Sequence, residues 1–257
     1  KKVYVSLSGI GETSSSACTQ FLITKYNVNL IFNYGACGSL RKDLNLTNVV
    51  FISKLIDVGF DTSALDNCKK HTHIELGFDD PIMKINESFI NYAKNNFPSI
   101  EQVICASNNI FIDDEKEKEN INKEYNASIC EMEASGIYLT CLKNNIDCFF
   151  IKSVSDTVSG GKEEYEKFAT LAADEALNIL KNKLVSTGVL KSGGNTTSDG
   201  ASASFVYNSK TTIDGTEMYC IRFDIRKNGN TTTAGYYGVG VKNGQCYKVT
   251  INGNSYS

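Results

Sequence analysis

The sequence predicts an α/β fold over residues 1–184, a three-layer α/β/α domain with a mixed central sheet, followed by a small all-β domain. Two observations predict the first part. Strand-like runs such as "NVVFISKLIDVGF" and "DCFFIKSVSD" are nearly continuous in apolar residues, the pattern of strands covered on both faces. These runs alternate with helix-like segments. The third observation is a change of composition after Leu184, where Gly, Ser, Thr and Asn take over.

In order along the chain, "VYVSL" reads as a strand and "SGIG" as the turn that ends it. "ETSSSACTQFLITKY" puts Ala17, Phe21 and Leu22 on one face of a helix. "LIFNYG" is a short strand ending in glycine, and "NVVFISKLIDVGF" is a strand run broken by a bend. "DPIMKINESFINYAKNNF" reads as a helix with Asp80 as its cap and Pro81 in its first turn. "EQVICAS" is a strand, "DDEKEKENINKEYN" a highly charged stretch, and "SICEMEAS" carries strand into helix. "DCFFIKSVSD" is the last strand. The amphipathic helix after it turns Phe168, Leu171, Ala172, Leu177 and Leu180 inward. Residues 185–203 have linker composition. Residues 204–257 alternate apolar and polar positions and carry the turn dipeptides Asn243-Gly244 and Asn252-Gly253, as a small antiparallel β domain does.

Composition removes several classes of function. A formal charge of -3, with acids and bases interspersed, offers no electrostatic footprint for nucleic acid. No apolar run is long enough for a membrane span. Of nine cysteines, none is spaced as CxxC, and the seven up to Cys148 lie mostly inside apolar runs. They read as small buried hydrophobes of a reducing compartment. Cys220 and Cys246 could instead pair in the tail, which would imply an exported protein. His71 and His73 are the only histidines, too few for a histidine-rich metal site, and their HxH reads as a solvated turn. No metal and no cofactor is expected.

Two stretches, Ser8–Gly11 and Asn33–Leu40, have the form of a strand end followed by glycines. They either present backbone N–H groups to a ligand or make tight strand-to-helix turns. Neither is a GxGxxG or Walker loop. Asp156 stands just beyond an apolar strand, where open α/β sheets bind ligands; it faces such a ligand or caps the next helix. Glu131 and Glu133 flank Met132 in the same topological situation, and their spacing sends one into the crevice and the other outward. An inward carboxylate suits a vicinal diol. A methionine suits the apolar side of a sugar, and Phe111 offers an aromatic ring for a base.

Together and in this order, "SGIG", "NYGACGSL", "CEMEASGI" and "IKSVSDTVSG" resemble motifs of the purine nucleoside phosphorylase and uridine phosphorylase superfamily. The resemblance spans residues 1–184 and is nearest to the 5'-methylthioadenosine/S-adenosylhomocysteine nucleosidases. Departures are Tyr34 for threonine, Cys37 and Ser39 for small residues, and Asn108-Asn109 where glycine and aspartate are expected. The resemblance implies that Glu133 holds the ribose 2' and 3' hydroxyls while Met132 packs on the sugar. Asp156 would protonate or hydrogen-bond purine N7, oriented by Ser155. Phe111 would stack on the base and the Ile112 backbone would bond its edge. Glu131, Ser8, Gly9 and Ala36 complete the implied substrate-binding set. Asp156 would have to be protonated or share a proton, which burial favours.

The family begins one strand and one loop earlier, and that segment supplies the glutamate that activates water or the residues that bind phosphate. The expected domain therefore lacks the family's first strand. Glu12 stands where the family has a small or basic residue, so the match gives it no such role. The expected function is hydrolysis of the N-glycosidic bond of a purine nucleoside such as methylthioadenosine. The alternatives are phosphorolysis, or a non-catalytic nucleoside-binding or pilin-like surface protein. A purine nucleoside partner, a homodimer, and a cytoplasmic location are expected, with the cell surface or secretion as the alternative the β tail raises.

Overall fold

β-branched and aromatic residues crowd residues 49–57 and 147–156, and in the computed structural model both runs are buried strands. The structure describes residues 4–186, with side chains as far as residue 179. Beyond them it describes the backbone of strands at 195–196, 202–213, 216–227, 230–240, 246–249, 251–252 and 255–256. The first compact unit spans Lys2–Leu180. Its strands are β1 (Leu30–Ser39), β2 (Val49–Asp57), β3 (Met83–Lys84), β4 (Glu101–Ser107), β5 (Ile129–Glu131) and β6 (Asp147–Asp156). Its helices are α1 (Glu12–Tyr26), α2 (Ser63–Asp66), α3 (Glu87–Asn96), α4 (Glu115–Tyr125), α5 (Ala134–Lys143) and α6 (Gly161–Ser186).

The sheet runs β3-β2-β4-β5-β1-β6, and β2 also pairs with β6, so it closes on itself. It is mixed, as expected: β1–β6, β2–β4 and β4–β5 are parallel, and β1–β5, β2–β3 and β2–β6 are antiparallel. Closure replaces the three-layer α/β/α arrangement that the sequence predicts. Its cause lies in β2, whose register against β4 shifts between Ile52 and Lys54. A bulge of this kind bends a strand and increases its twist. One edge of β2 pairs with β4 throughout. Its other edge serves β6 at residues 49–51 and β3 at residues 54–55. The predicted bend is thus a bulge within one strand. Val50, Phe51 and Ile52 are buried in succession, as are Phe149, Phe150 and Ile151, which requires cover on both faces. Phe51, Phe32 and Phe89 surround Phe149 with ring centroids 5.1–6.0 Å away, a spacing at which tilted rings attract.

Several local expectations change. Residues 4–9 form no strand, since no described strand runs beside them, and Val5 and Leu7 are exposed. α1 does not bury Ala17 and Phe21; it turns Ser15 and Thr19 inward instead, with Leu22 half-buried. The reason is close packing on α5. A Cβ added at Gly136 would lie 2.5 Å from the Glu12 carbonyl oxygen and 2.7 Å from Ser16 Oγ, so only small residues fit this crossing. The "DPIMKINES" stretch enters its helix late. Asp80 Oδ1 accepts from the Ile82 N–H in a turn, Met83 and Lys84 pair with β2, and Asn86 is the cap, accepting from Ser88 N. The charged stretch after β4 is α4, capped by Asp114, which accepts from Glu117 N. In α6, Ala172 and Ala176 are buried, Phe168 and Leu177 are half-buried, Leu171 is exposed, and the Leu180 side chain lies outside the described residues.

The second unit ends at Ser257. Strands β7 (Asn195–Thr196), β8 (Ser202–Ile213), β9 (Thr216–Lys227), β10 (Asn230–Gly240) and β11 (Cys246–Val249) form an antiparallel sheet in the order β11-β10-β9-β8-β7. β12 (Ile251–Asn252) and β13 (Ser255–Tyr256) pair separately. The side chains of Cys220 and Cys246 lie outside the described residues, and so does their pairing. Among the described residues no helix is long and apolar enough to cross a membrane.

Gly136→Ala is expected to lower stability by about 1–3 kcal/mol, the usual cost of overpacking. Denaturant unfolding of the full chain measures it. An unchanged midpoint would show that α1 shifts away from α5 without cost.

Candidate active site

The glycines of "NYGACGSL" lie inside β1 rather than in a turn after it, because β1 continues to Ser39. β1 runs between β5 and β6, so those two strands are not neighbours, and they point in opposite directions. Gly38 sits opposite Cys130 on one side and Asp156 on the other. A Cβ there would stand 2.8 Å from Asp156 Oδ2 and 3.0 Å from Cys130 Sγ. Gly38 thus makes room for a buried carboxylate. Gly35, opposite Lys152, leaves space that ends 3.9 Å from the Lys152 Nζ. The tight turn expected as one alternative is not formed here, and Gly38 acts as a volume constraint.

The β1–β6 register slips between Cys37 and Gly38, which makes Ser155 the extra residue of a bulge. Bulges re-aim the side chains beside them. Ser155 Oγ lies 3.1 Å from the Cys37 carbonyl oxygen and 2.9 Å from Asp156 Oδ1, so its one proton has two acceptors within reach. Asp156 is 1% exposed. The site is shielded, as the sequence reading requires, and the acid does not stand alone in it. Lys118 of α4, itself fully buried, donates to Asp156 Oδ2 at 2.7 Å and to the Thr157 carbonyl at 2.9 Å. Burying either charge alone would be costly; as a hydrogen-bonded pair they are compensated.

The two glutamates of "EME" divide as their spacing requires. Glu131, at the end of β5, accepts from the backbone N–H groups of Glu133 and Ala134 at 2.9–3.0 Å and so caps α5. Its Oε2 is also 2.9 Å from Lys152 Nζ, with both side chains buried. Burial pushes the Glu131 carboxyl up. The Lys152 ammonium, with hydrogen bonds from Ser107 and Ala134, outweighs that and holds it below the usual carboxylate range. Burial pulls Lys152 down, and Glu131 and Glu133 outweigh it and hold the ammonium above its ordinary value. Glu131 is therefore a cap and an ion-pair partner. Glu133 is only partly buried. Its Oε1 accepts from Gly11 N–H at 3.0 Å and its Oε2 lies 3.8 Å from Lys152 Nζ. Burial, reinforced by the charge of Glu131 and opposed by Lys152, raises its carboxyl above the usual range. Gly11, at φ 87°, a conformation that favours glycine, spends its amide on Glu133. Met132 beside it is half-buried.

The loop after β4 is fixed from the α1 side. Asn109 Oδ1 accepts from Glu12 N–H at 2.8 Å, and Asn109 Nδ2 donates to Glu12 Oε2 at 3.0 Å. Glu12 Oε1 accepts from Ser135 Oγ at 2.6 Å, and Ser135 meets Ser107 at 3.0 Å. The unexpected glutamate and the unexpected asparagine are thus one paired change. Burial raises the Glu12 carboxyl, while Ser135 and Asn109 oppose the rise. Phe111 is 39% exposed and meets Tyr165 edge-on at 5.2 Å. Ile112 is buried with Leu40, Ala106, Ala127 and Cys130. Ala36 and Ser8 are half-buried, Gly9 is exposed, and Ser8 Oγ donates to the Gly9 carbonyl.

Three groups escaped the sequence reading. Lys152 had a signal, being a lone cation inside an apolar strand. Lys118 had none, because it sits in a run of charges that all read as solvated. His73 is buried rather than in a solvated turn. Its Nε2 is 3.0 Å from Asp57 Oδ2, its Nδ1 is 3.1 Å from Glu75 Oε1, and Phe60 stacks on it at 4.0 Å. Burial pulls this imidazole down, and the two carboxylates outweigh it and hold it above its ordinary value.

The chain belongs to the phosphorylase superfamily, whose family model matches residues 1–184. It is 25% identical over 183 residues to an aminodeoxyfutalosine nucleosidase of Helicobacter pylori, covering 71% of this chain and 80% of the relative. It is 27% identical over 187 residues to the 5'-methylthioadenosine/S-adenosylhomocysteine nucleosidase of Staphylococcus haemolyticus, covering 71% and 81%. Among solved structures, the native futalosine hydrolase of Helicobacter pylori superposes with a TM-score of 0.64 at 26% identity, covering 70% of this chain and 77% of that one.

Lys152→Met should be strongly destabilising, by about 3–5 kcal/mol, because it leaves Glu131 as an unpaired buried charge. Urea unfolding would detect this; a loss under about 1 kcal/mol would mean that Glu131 is neutral in the fold. For Glu133 the sign is opposite. Its raised value means that the folded state prefers the proton, so its stabilising contribution is full below the ordinary value of 4.5 and is lost as pH rises through the raised one. Glu133→Gln keeps an oxygen for Gly11 N–H and does not titrate. Its melting temperature should therefore gain on the wild type's as pH goes from acidic to neutral, and a pH-independent difference would contradict this.

Proposed function

We propose that residues 1–184 form a hydrolytic nucleosidase that cleaves the N-glycosidic bond of purine nucleosides of the methylthioadenosine and S-adenosylhomocysteine type. The observation that carries it is the pair of buried acid–lysine clusters at β6: Asp156 with Lys118, and Glu131 and Glu133 with Lys152. The nucleosidase names of the relatives support it. Glu133 retains hydrogen-bonding capacity beyond Gly11 N–H, since a carboxylate offers about four acceptor sites. It takes the ribose diol, and Met132 packs against the sugar. Asp156, oriented by Ser155, delivers a proton to purine N7. Phe111 stacks on the base and the Ile112 backbone bonds its edge, while Ser8, Gly9 and Ala36 line the sugar side.

Charge supports water as the nucleophile. Breaking the bond between C1' and the purine leaves positive charge on the ribose and negative charge on the base. In ionised form the three carboxylates outnumber the two ammonium groups by one. That excess favours the ribosyl cation and repels a phosphate dianion, whereas water is indifferent to it.

Purine release from methylthioadenosine and S-adenosylhomocysteine should be measurable by chromatography and should not need phosphate. Free ribosyl product is the expected outcome; a ribose 1-phosphate that appears only with phosphate would make the protein a phosphorylase. Asp156→Asn should lower kcat about 10²–10⁴-fold, the scale of a general acid, with a small change in KM. Glu133→Gln should harm both, since the diol is gripped before and during reaction. Nucleoside binding without base release would favour the binding-protein alternative.

A further inference from the structure

Lys118 is the one cation among the described residues with its side chain fully out of solvent and its ammonium on the Asp156 carboxylate. Its other hydrogen bond goes to a carbonyl, Thr157 O, at 2.9 Å. An aspartate that already accepts from an ammonium at 2.7 Å and has Ser155 Oγ at 2.9 Å has no proton to give. Within this pair, the proton available to a leaving base resides on Lys118. We infer that Lys118 is a positioning residue that stores the proton which Asp156 delivers to the departing purine. The inference rests on the nucleosidase reading and names the source of its acid.

The step balances as follows. An N–H bond of Lys118 breaks and an O–H bond forms on Asp156, turning ammonium and carboxylate into amine and carboxylic acid. As the C1'–N bond breaks, its electron pair goes to the purine. The Asp156 O–H bond then breaks and an N7–H bond forms. Water adds to C1', and the proton it loses is returned to the pair through Asp156, which restores the Lys118 ammonium. Ser155 assists by moving its proton from Asp156 Oδ1 to the Cys37 carbonyl, 3.1 Å away, which frees that oxygen for N7.

The test compares two substrates that differ only in whether the leaving group needs a proton: a purine nucleoside, and a nitrophenyl riboside whose phenolate leaves unaided. In the full chain, Lys118→Gln keeps a donor toward Asp156 and Thr157 but has no proton to pass on. It should lower kcat for the purine nucleoside about 10²-fold or more with KM little changed, and lose at least about tenfold less on the nitrophenyl riboside. Lys118→Arg retains the charge and does not release its proton, so it should show the same selective loss; it also serves if the glutamine variant does not fold. Equal losses on both substrates, or full purine release by either folded variant, would overturn the inference while leaving the nucleosidase reading in place. A wild type that cleaves neither substrate would overturn the nucleosidase reading, and this inference with it.

Discussion

Lys152 and Glu131 meet at 2.9 Å inside a closed sheet, and much of the domain is hung on that contact. Lys152 is on β6 and Glu131 ends β5, two strands that β1 separates. The same carboxylate caps α5, and so fixes where Glu133 stands. Glu133 accepts from Gly11, the residue from which α1 starts. One ion pair thereby links two strands, two helix starts and the candidate sugar ligand. Buried pairs of this kind rarely stabilise more than well-packed apolar residues would. Here the charge of Lys152 also acts on Glu133, so the pair belongs to the site as much as to the fold.

Space for these charges comes from what β1 lacks. Gly35 and Gly38 face Lys152 and Asp156, and any side chain at Gly38 would collide with the Asp156 carboxylate. The bulge at Ser155 then brings a hydroxyl between that carboxylate and the Cys37 carbonyl. An interior built of Val, Ile and Phe thus holds two lysines and two carboxylates in full burial, each with a partner. This polarity lies along β6 and at the end of β5, with His73 and Asp57 as a further buried pair at the end of β2, while the rings of Phe51, Phe32 and Phe149 fill the apolar part.

Asp156 and Glu133 share one design: a carboxylate with a lysine behind it. At Asp156 the lysine touches the acid directly. At Glu133 the lysine is held by Glu131 and reaches from 3.8 Å, so burial still leaves that carboxyl raised. The Glu12–Asn109 pair fastens the loop between them to α1.

The sequence by itself determined most of the element types and the identity of the acids; the strand expected at residues 4–9 and the helix expected from Asp80 are the exceptions. Strands buried on both faces must be apolar throughout, so β2, β4 and β6 were legible, and the order of the four motifs marked Glu133 and Asp156. The i, i+2 spacing of Glu131 and Glu133 also required that they face different ways. Only the tertiary structure decided which one turned inward, because that depends on Lys152 arriving from another strand. Closure of the sheet was likewise hidden, since a bulge at Ser53 leaves no mark in an apolar run. α1 was misread because an apolar stripe is not what a helix buries when a glycine brings its neighbour too close for large side chains. Lys118 was invisible for the most general reason: in a run of charged residues nothing local tells which one leaves the water, and the choice is made by a carboxylate 38 positions away in sequence.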